Sequence, residues 1–179
     1  MSKTESDIMY PYMPAEAMFE FVNISNPFMA EAFRVAQELS TDHNHPTGSV
    51  VVKDRNILGR AGNQIAFRNS VIVSFHKKIF CVRRFFHIKT GEKYWLCPGC
   101  ASFKNHSEQQ AIQDAKRNGK EINGADLYLW GHWWCCGPCW QVMTQAGIHQ
   151  VYLLERSQEL FNKTHPANIV GQQFDQPLT

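Results

Sequence analysis

The chain has no apolar run long enough to cross a membrane. Stretches such as Val71-Ile72-Val73 fall far short of the ~18 residues that a spanning helix needs. The first residues, Met1–Asp7, include acidic side chains and no apolar stretch, unlike a secretory signal. We therefore expect a cytoplasmic protein with no membrane partner, in a compartment that keeps thiols reduced.

Strong bias of composition or charge is also absent. Glycine (11) and proline (8) are near average usage, which excludes collagen-like and low-complexity chains. The net charge of +2 is too small to predict a protein that binds duplex nucleic acid. A chain of 179 residues, 44% of them apolar, instead predicts one globular domain that buries its own core.

Six cysteines are therefore more than folding requires. In a reducing compartment, Cys-x-x-Cys pairs are more often metal ligands or redox groups than disulfides. Two such pairs occur, Cys97–Cys100 and Cys136–Cys139. The cysteines thus predict metal binding at two separate places in the chain.

The N-terminal third of the chain contains signals for a helix and a hairpin. Asn26 followed by Pro27 predicts a helix N-terminus, and apolar residues at helical spacing extend this helix to about residue 40. The run 15–22 predicts a second, shorter helix. The expected regions are an N-terminal arm at 1–26, a main domain at 27–163 and a C-terminal tail at 164–179.

The rest of the main domain predicts an α/β/α architecture. Two apolar runs flank Asp54-Arg55-Asn56, which is typical of a hairpin. Further along, helices and strands alternate, which favours a partly parallel sheet with helices on both faces. The predicted elements are strands at 49–53, 57–63, 126–130 and 149–154, and helices at 106–118, 137–146 and 155–163.

Residues 64–104 have the character of an insertion between the hairpin and the later elements. Within it, residues 76–93 hold six Lys or Arg against one acid. Such a run is usually a solvated face; its alternatives are binding a substrate phosphate, a nucleotide effector or single-stranded nucleic acid.

The same insertion contains a second candidate metal site. Cys81, Cys97 and Cys100 predict a structural zinc, and Cys97 and Cys100 have zinc-knuckle spacing. The alternative is three thiols without a metal. The fourth ligand would be one of His76, His87 or His43.

The other candidate metal site, called the first site below, lies at the starts of two predicted helices. It consists of His106, Cys136 and Cys139. The dipole of a helix N-terminus favours thiolates, and three ligands with an open position are typical of a catalytic zinc. Glu108 points too far around the helix to bind the same ion. It is placed to carry protons, which predicts hydrolysis at an amine-bearing carbon. The alternative is a structural zinc knuckle.

The motif His106-Ser107-Glu108, followed by Cys136-Gly137-Pro138-Cys139, resembles the zinc-dependent cytidine and deoxycytidylate deaminase superfamily. The chain is most similar to the deoxycytidylate (dCMP) deaminase branch. Ser107 replaces the family's usual alanine, and Cys135 replaces its usual proline. The resemblance covers about 28–155 and is also carried by Gly48–Lys53, Gly62-Asn63, Cys81–Arg84, Gly91–Cys97, His106–Ile112 and Ala146–Val151.

The resemblance implies a three-layer α/β/α sandwich with a mixed, mostly five-stranded sheet. It also implies hydrolysis of dCMP to dUMP and ammonia, with one catalytic zinc, Glu108 as catalytic residue and Asn63 on the sugar hydroxyl. Trp133 or Trp134 is a candidate wall of the base pocket. We expect a homo-oligomer, because members of the superfamily are commonly oligomers.

Two other functions are open alternatives. One is a deaminase that acts on a base in tRNA or single-stranded nucleic acid, which the mild charge disfavours. The other is a catalytically silent zinc-binding protein on the same fold, against which Glu108 counts. Neither the preferred base nor the form in which it is presented follows from the sequence.

Overall fold

The computed structural model describes residues 8–42, 45–65, 69–88, 93, 96–97, 100 and 103–175. No helix in these ranges is both long enough and apolar enough to cross a membrane. The strands are β1 Phe19–Val22, β2 Gly48–Lys53, β3 Asn56–Gly62, β4 Asp126–Trp130 and β5 Gln150–Leu154. The helices are α1 Pro27–Leu39, α2 Ser70–Lys78, α3 Val82–Phe85, α4 Ser107–Arg117, α5 Gly137–Gln145 and α6 Ser157–Phe161, with a 3-10 turn at Phe103–Asn105.

The strands form one mixed sheet in the order β1-β5-β4-β2-β3. Strand β2 is antiparallel to both β3 and β4, whereas β5 is parallel to β4 and β1. Strand β2 lies inside the sheet, and its successive residues Val50 and Val51, which face opposite layers, are both fully buried. The predicted five-stranded mixed sheet is confirmed.

Helices cover both faces of this sheet. On one face, Ala111 and Ile112 of α4 and Met143 of α5 pack against Val51 and Leu127. On the other, α1 and α6 pack against the opposite side chains of the same strands. The alternation of side chains along β2 and β4 therefore supplies two cores, and the predicted three-layer sandwich is confirmed.

Helix α1 begins as its sequence predicts. The Asn26 side chain accepts hydrogen bonds from the backbone N–H groups of Phe28 and Met29, and Pro27 occupies the first turn. The helix then buries Met29, Ala32, Val35 and Ala36 at helical spacing.

The short helix predicted over 15–22 is wrong. Residues 19–22 instead form β1, which pairs in parallel with β5 through Phe19↔Val151. Aromatic and β-branched residues favour a strand, and the ladder to β5 satisfies backbone groups that a short isolated helix would leave exposed. The sheet thus begins inside the segment expected to be an arm, while the division of the chain at residues 26 and 163 stays a prediction.

The close approach of α4 to β3 at Gly59 gives a stability test. A Cβ at Gly59 would overlap the carbonyl oxygen of Ala111 and lie 2.6 Å from the amide nitrogen of Ala115. We expect Gly59→Ala to lower the free energy of unfolding by about 3 kcal/mol, measured by urea denaturation, because backbone must move. Gly119→Ala is the control, since Gly119 has φ +66 and open space around it and should cost about 1 kcal/mol. Equal costs for the two variants would contradict this packing constraint.

Candidate active site

Two helix N-termini meet at one end of the sheet, and each starts at a predicted metal ligand. His106 is the N-cap of α4 and Cys136 is the N-cap of α5, both with extended backbone. Pro138 occupies the first turn of α5, where its missing N–H costs nothing, and Cys139 follows it. The fold therefore brings together ligands that lie 30 residues or more apart in the chain.

The donor atoms of this group fit a zinc ion. His106 Nδ1 lies 3.5 Å from Cys136 Sγ and 3.4 Å from Cys139 Sγ. Tetrahedral bonds of ordinary zinc length separate a nitrogen and a sulfur ligand by about 3.5 Å. Among the residues that the structure describes, no fourth protein donor joins the group, so one position is left for a reactant.

The pKa values of the two thiols in this group are shifted in opposite directions. The hydrogen bond from Cys139 lowers the pKa of Cys136 to about 5 against the effect of burial, and His106 adds to the shift. The same bond, together with burial, raises the pKa of Cys139. Gln109 Nε2 also reaches Cys139 Sγ, at 3.9 Å. The two shifts favour a thiolate on Cys136 over one on Cys139, and a divalent cation bound here would favour the thiolate form of both.

Glu108 lies in the first turn of α4 and is only 5% exposed. Its Oε2 accepts a hydrogen bond of 3.2 Å from Ser107 Oγ, which in turn accepts one of 2.8 Å from Ser49 Oγ. Both serines are fully buried. The sequence did not predict this chain of hydroxyls. It holds the carboxylate beside the group of His106, Cys136 and Cys139, to which Glu108 itself does not belong.

Cys135 is fully buried and stands outside the ligand group. Burial raises the pKa of its thiol well above the usual range, and the negative charge of Glu108 adds to the shift. Cys135 is therefore a neutral thiol next to the carboxylate, while Cys136 and Cys139 stay the predicted ligand pair.

Two histidines that the sequence interpretation missed stack beside this group. The rings of His45 and His132 lie 5.1 Å apart at an interplanar angle of 9°. His45 Nε2 donates to the Gly131 carbonyl at 2.9 Å, and His132 Nδ1 accepts from the Trp133 N–H at 3.1 Å. Burial lowers the pKa of His45 to about 4 and that of His132 well below its usual value. Both are therefore neutral polar groups beside the ligand group.

The candidate substrate residues lie in the same region. Asn63 is buried, and its side chain joins the end of α1 to the loop before β2: Oδ1 accepts from Ser40 Oγ and Thr47 N, and Nδ2 donates to the His45 carbonyl. Trp133 packs against Tyr10, with ring centroids 6.1 Å apart.

Trp134 meets the His132 ring edge-on at 5.5 Å. The roles predicted for Asn63 and the two tryptophans in substrate binding stay predictions.

The second predicted group also comes together. Cys81, Cys97 and Cys100 lie with His76 in one cluster, while His87 is exposed and outside it. His43, the remaining candidate, lies outside the described residues. The basic run is only partly a solvated face, because Arg83 is 8% exposed.

Comparison with known proteins places these observations in a family. The model of the cytidine and deoxycytidylate deaminase zinc-binding region matches residues 23–155, which include both helix starts. No curated protein sequence matches the chain.

Three solved structures are similar at low identity. The dCMP deaminase of cyanophage S-TIM5, in complex with dCMP and dUMP, is 21% identical, with a TM-score of 0.44; the match covers 81% of this chain and 87% of that one. Guanine deaminase from Bacillus subtilis is 20% identical, with a TM-score of 0.39, and the match covers 70% of this chain and 60% of that one.

The third is the diaminohydroxyphosphoribosylaminopyrimidine deaminase/5-amino-6-(5-phosphoribosylamino)uracil reductase of Thermotoga maritima, which is 21% identical with a TM-score of 0.41. That match covers 70% of this chain, which spans only 28% of the length of the reductase-containing protein. Because the family model matches most of the sequence and contains the whole His106, Cys136 and Cys139 group, the chain belongs to the cytidine and deoxycytidylate deaminase family, whose conserved region binds zinc.

Proposed function

We propose that this protein is a hydrolytic deaminase of a cytosine mononucleotide, with dCMP as its substrate. The observation that carries the proposal is the buried carboxylate of Glu108 beside a three-donor group that fits zinc. Zinc in that group supplies a Lewis acid that lowers the pKa of a water molecule toward about 7. A purely structural site would need neither the open position nor the carboxylate.

In this proposal Glu108 moves the protons of the reaction. Its carboxylate takes a proton from the attacking water and delivers it to N3 of cytosine while oxygen adds at C4. It then passes the second water proton to the departing amine, so that cytosine and water become uracil and ammonia. The carboxylate ends each turnover as it began.

The hydroxyl chain supports this role by orienting the carboxylate. Ser107 donates to Oε2, and Ser49 keeps the Ser107 hydroxyl turned toward Glu108 by donating to its oxygen. The Cys135 thiol also hydrogen bonds to this carboxylate, which is only 5% exposed. Such pre-set orientation is the usual source of efficiency in general acid–base catalysis.

A charged side chain favours a nucleotide over a nucleoside. The positive charge of Lys163 helps to lower the pKa of both His45 and His132, so this exposed lysine lies near the histidine pair. His45 and His132 are neutral, so they add no positive charge to that of Lys163 and do not repel a base. Lys163 therefore supplies a cation suited to a monoester phosphate.

The proposal is tested by following ammonia release from dCMP, CMP, deoxycytidine, cytidine and a short single-stranded oligonucleotide. We expect dCMP to react fastest, and Glu108→Gln to lower its rate by about 100- to 10,000-fold because the proton carrier is lost. Glu121→Gln, an exposed change of the same kind, should leave the rate unchanged.

Three results would contradict it. Turnover of the oligonucleotide alone would identify a polymer-directed deaminase. Zinc-loaded protein that deaminates nothing would identify a silent zinc-binding protein. An active Glu108→Gln variant would remove the carboxylate from the mechanism.

The role of Lys163 has its own test. We expect Lys163→Met to raise KM for dCMP by about tenfold, because a charge-assisted phosphate contact is lost, and to leave KM for deoxycytidine unchanged. Steady-state kinetics on both substrates measure the difference, and Lys120→Met, an exposed change on another loop, is the control. An equal change of KM for the two substrates would show that Lys163 does not contact the phosphate.

The hydroxyl chain predicts a non-additive effect on stability. Ser107→Ala should lower the free energy of unfolding by about 1–3 kcal/mol, because it leaves the buried Ser49 hydroxyl without its acceptor. The double variant Ser49→Ala/Ser107→Ala should cost less than the sum of the single changes. Urea denaturation of the four proteins gives the coupling, and additive costs would contradict the hydrogen-bond chain.

A further inference from the structure

The described residues of the insertion that contains α2 and α3 show little apolar packing. Helix α2 has nine residues and α3 has four, lengths at which helices are marginal in water. Their large apolar side chains are mostly turned outward: Val71 is 74% exposed, Ile79 72%, and Phe85 and Phe86 64% each. Another interaction must therefore order this part of the chain.

Four metal-binding side chains converge inside the insertion. Cys81 Sγ lies 3.8 Å from Cys97 Sγ and 3.7 Å from Cys100 Sγ. His76 Nε2 lies 3.1 Å from Cys97 Sγ and 3.8 Å from Cys100 Sγ. All the donor atoms fall within 4.8 Å of one another, and the cysteines are free of disulfides.

These separations match a tetrahedral ion. Zinc–sulfur bonds of about 2.3 Å place two thiolates about 3.8 Å apart, and a thiolate and an imidazole nitrogen about 3.5 Å apart. Three thiolates and one imidazole are a donor set that selects zinc. We propose that His76, Cys81, Cys97 and Cys100 bind a second zinc ion, which takes the place of a hydrophobic core in the insertion.

The surroundings of the cluster support this assignment. The backbone N–H groups of Arg83 and Arg84 hydrogen bond to the Cys81 sulfur, and the Arg83 side chain hydrogen bonds to the Cys100 sulfur. Arg84 Nη2 donates to the His76 carbonyl at 2.6 Å. Donors of this kind orient metal ligands and stabilise thiolate charge.

Charge balance explains why Arg83 is buried. Three thiolates and a zinc ion carry a net charge of −1, which one guanidinium offsets. The basic run of the insertion is thus partly the counter-charge of a metal site.

The second site differs from the first in having no open position. Four protein donors complete a tetrahedral shell, so this zinc holds structure rather than binding a reactant. Cys100 stands six residues before His106 in the chain. In the described part of this span, the Asn105 carbonyl accepts a hydrogen bond from Gln64 N at 2.9 Å, and Gln110 Nε2 donates to the Lys104 carbonyl at 2.8 Å. The second zinc therefore anchors the approach to α4.

Metal analysis of matched histidine variants tests the proposal. After dialysis against a chelator of moderate strength, we expect two zinc ions per chain in the unaltered protein and in His87→Asn, and one in His76→Asn. His87 is the matched control because it lies in the same insertion, is exposed, and has φ 50, which asparagine tolerates. One zinc in the unaltered protein, or two in both variants, would overturn the proposal.

Thiol alkylation of the unaltered protein provides a test that does not depend on any variant folding. With zinc bound, Cys81, Cys97 and Cys100 should resist iodoacetamide, and chelation should make all three reactive, as peptide mass spectrometry would show. Equal labelling of Cys100 with and without chelation would refute the second site. Labelling of Cys136 with and without chelation tests the first site in the same experiment. A wrong assignment of one metal site can therefore be distinguished from a wrong assignment of the other.

Discussion

The active site depends on the contact between helix α4 and strand β3. At Gly59 the two backbones approach so closely that no side chain fits between them, because Ala111 and Ala115 of α4 lie directly against the strand. Gly48 allows the same approach of α1 to β2 from the other face, against Ala32 and Ala36. Since backbone contacts leave little freedom to slide or tilt, they fix where α4 begins relative to the sheet. The position of His106 and Glu108 follows from that.

The convergence of the ligands has an electrostatic cost that the fold offsets. Glu108 and the two thiols place acidic groups within one largely buried region. Two helix N-termini point their dipoles at that region, and a divalent ion bound by His106, Cys136 and Cys139 would supply the remaining positive charge. His45 and His132 contribute none, because burial lowers the pKa of both rings and keeps them neutral. Metal binding and the local folding of α4 and α5 are therefore linked.

The features that the sequence predicted correctly are those encoded locally. The start of α1 follows from Asn26 and Pro27, and the strand at 126–130 has the bounds expected from its apolar run. Strand β1 was predicted wrongly because its pairing depends on β5, whose residue Val151 is far away in the chain. The stacking of His45 on His132, 87 positions later, is invisible to periodicity for the same reason. For the second cluster, spacing identified three cysteines but did not decide which of three histidines is the fourth ligand. The fold brings His76 of α2 next to Cys97, and that contact between distant residues cannot be derived from spacing.

A metal ion in the second ligand group would allow the insertion to affect the position of His106 in the first. An appendage joined to α4 by a free linker would have no effect on the position of His106. Here the span from Cys100 to His106 is short, and the 3-10 turn within it is held by bonds to both the hairpin end and α4 itself. If an ion orders the insertion, this 3-10 turn is the described part of the connection through which that order would reach the first turn of α4. An insertion without a core of its own can serve this purpose if an ion fixes its geometry, because four coordination bonds define a position more sharply than exposed apolar side chains do.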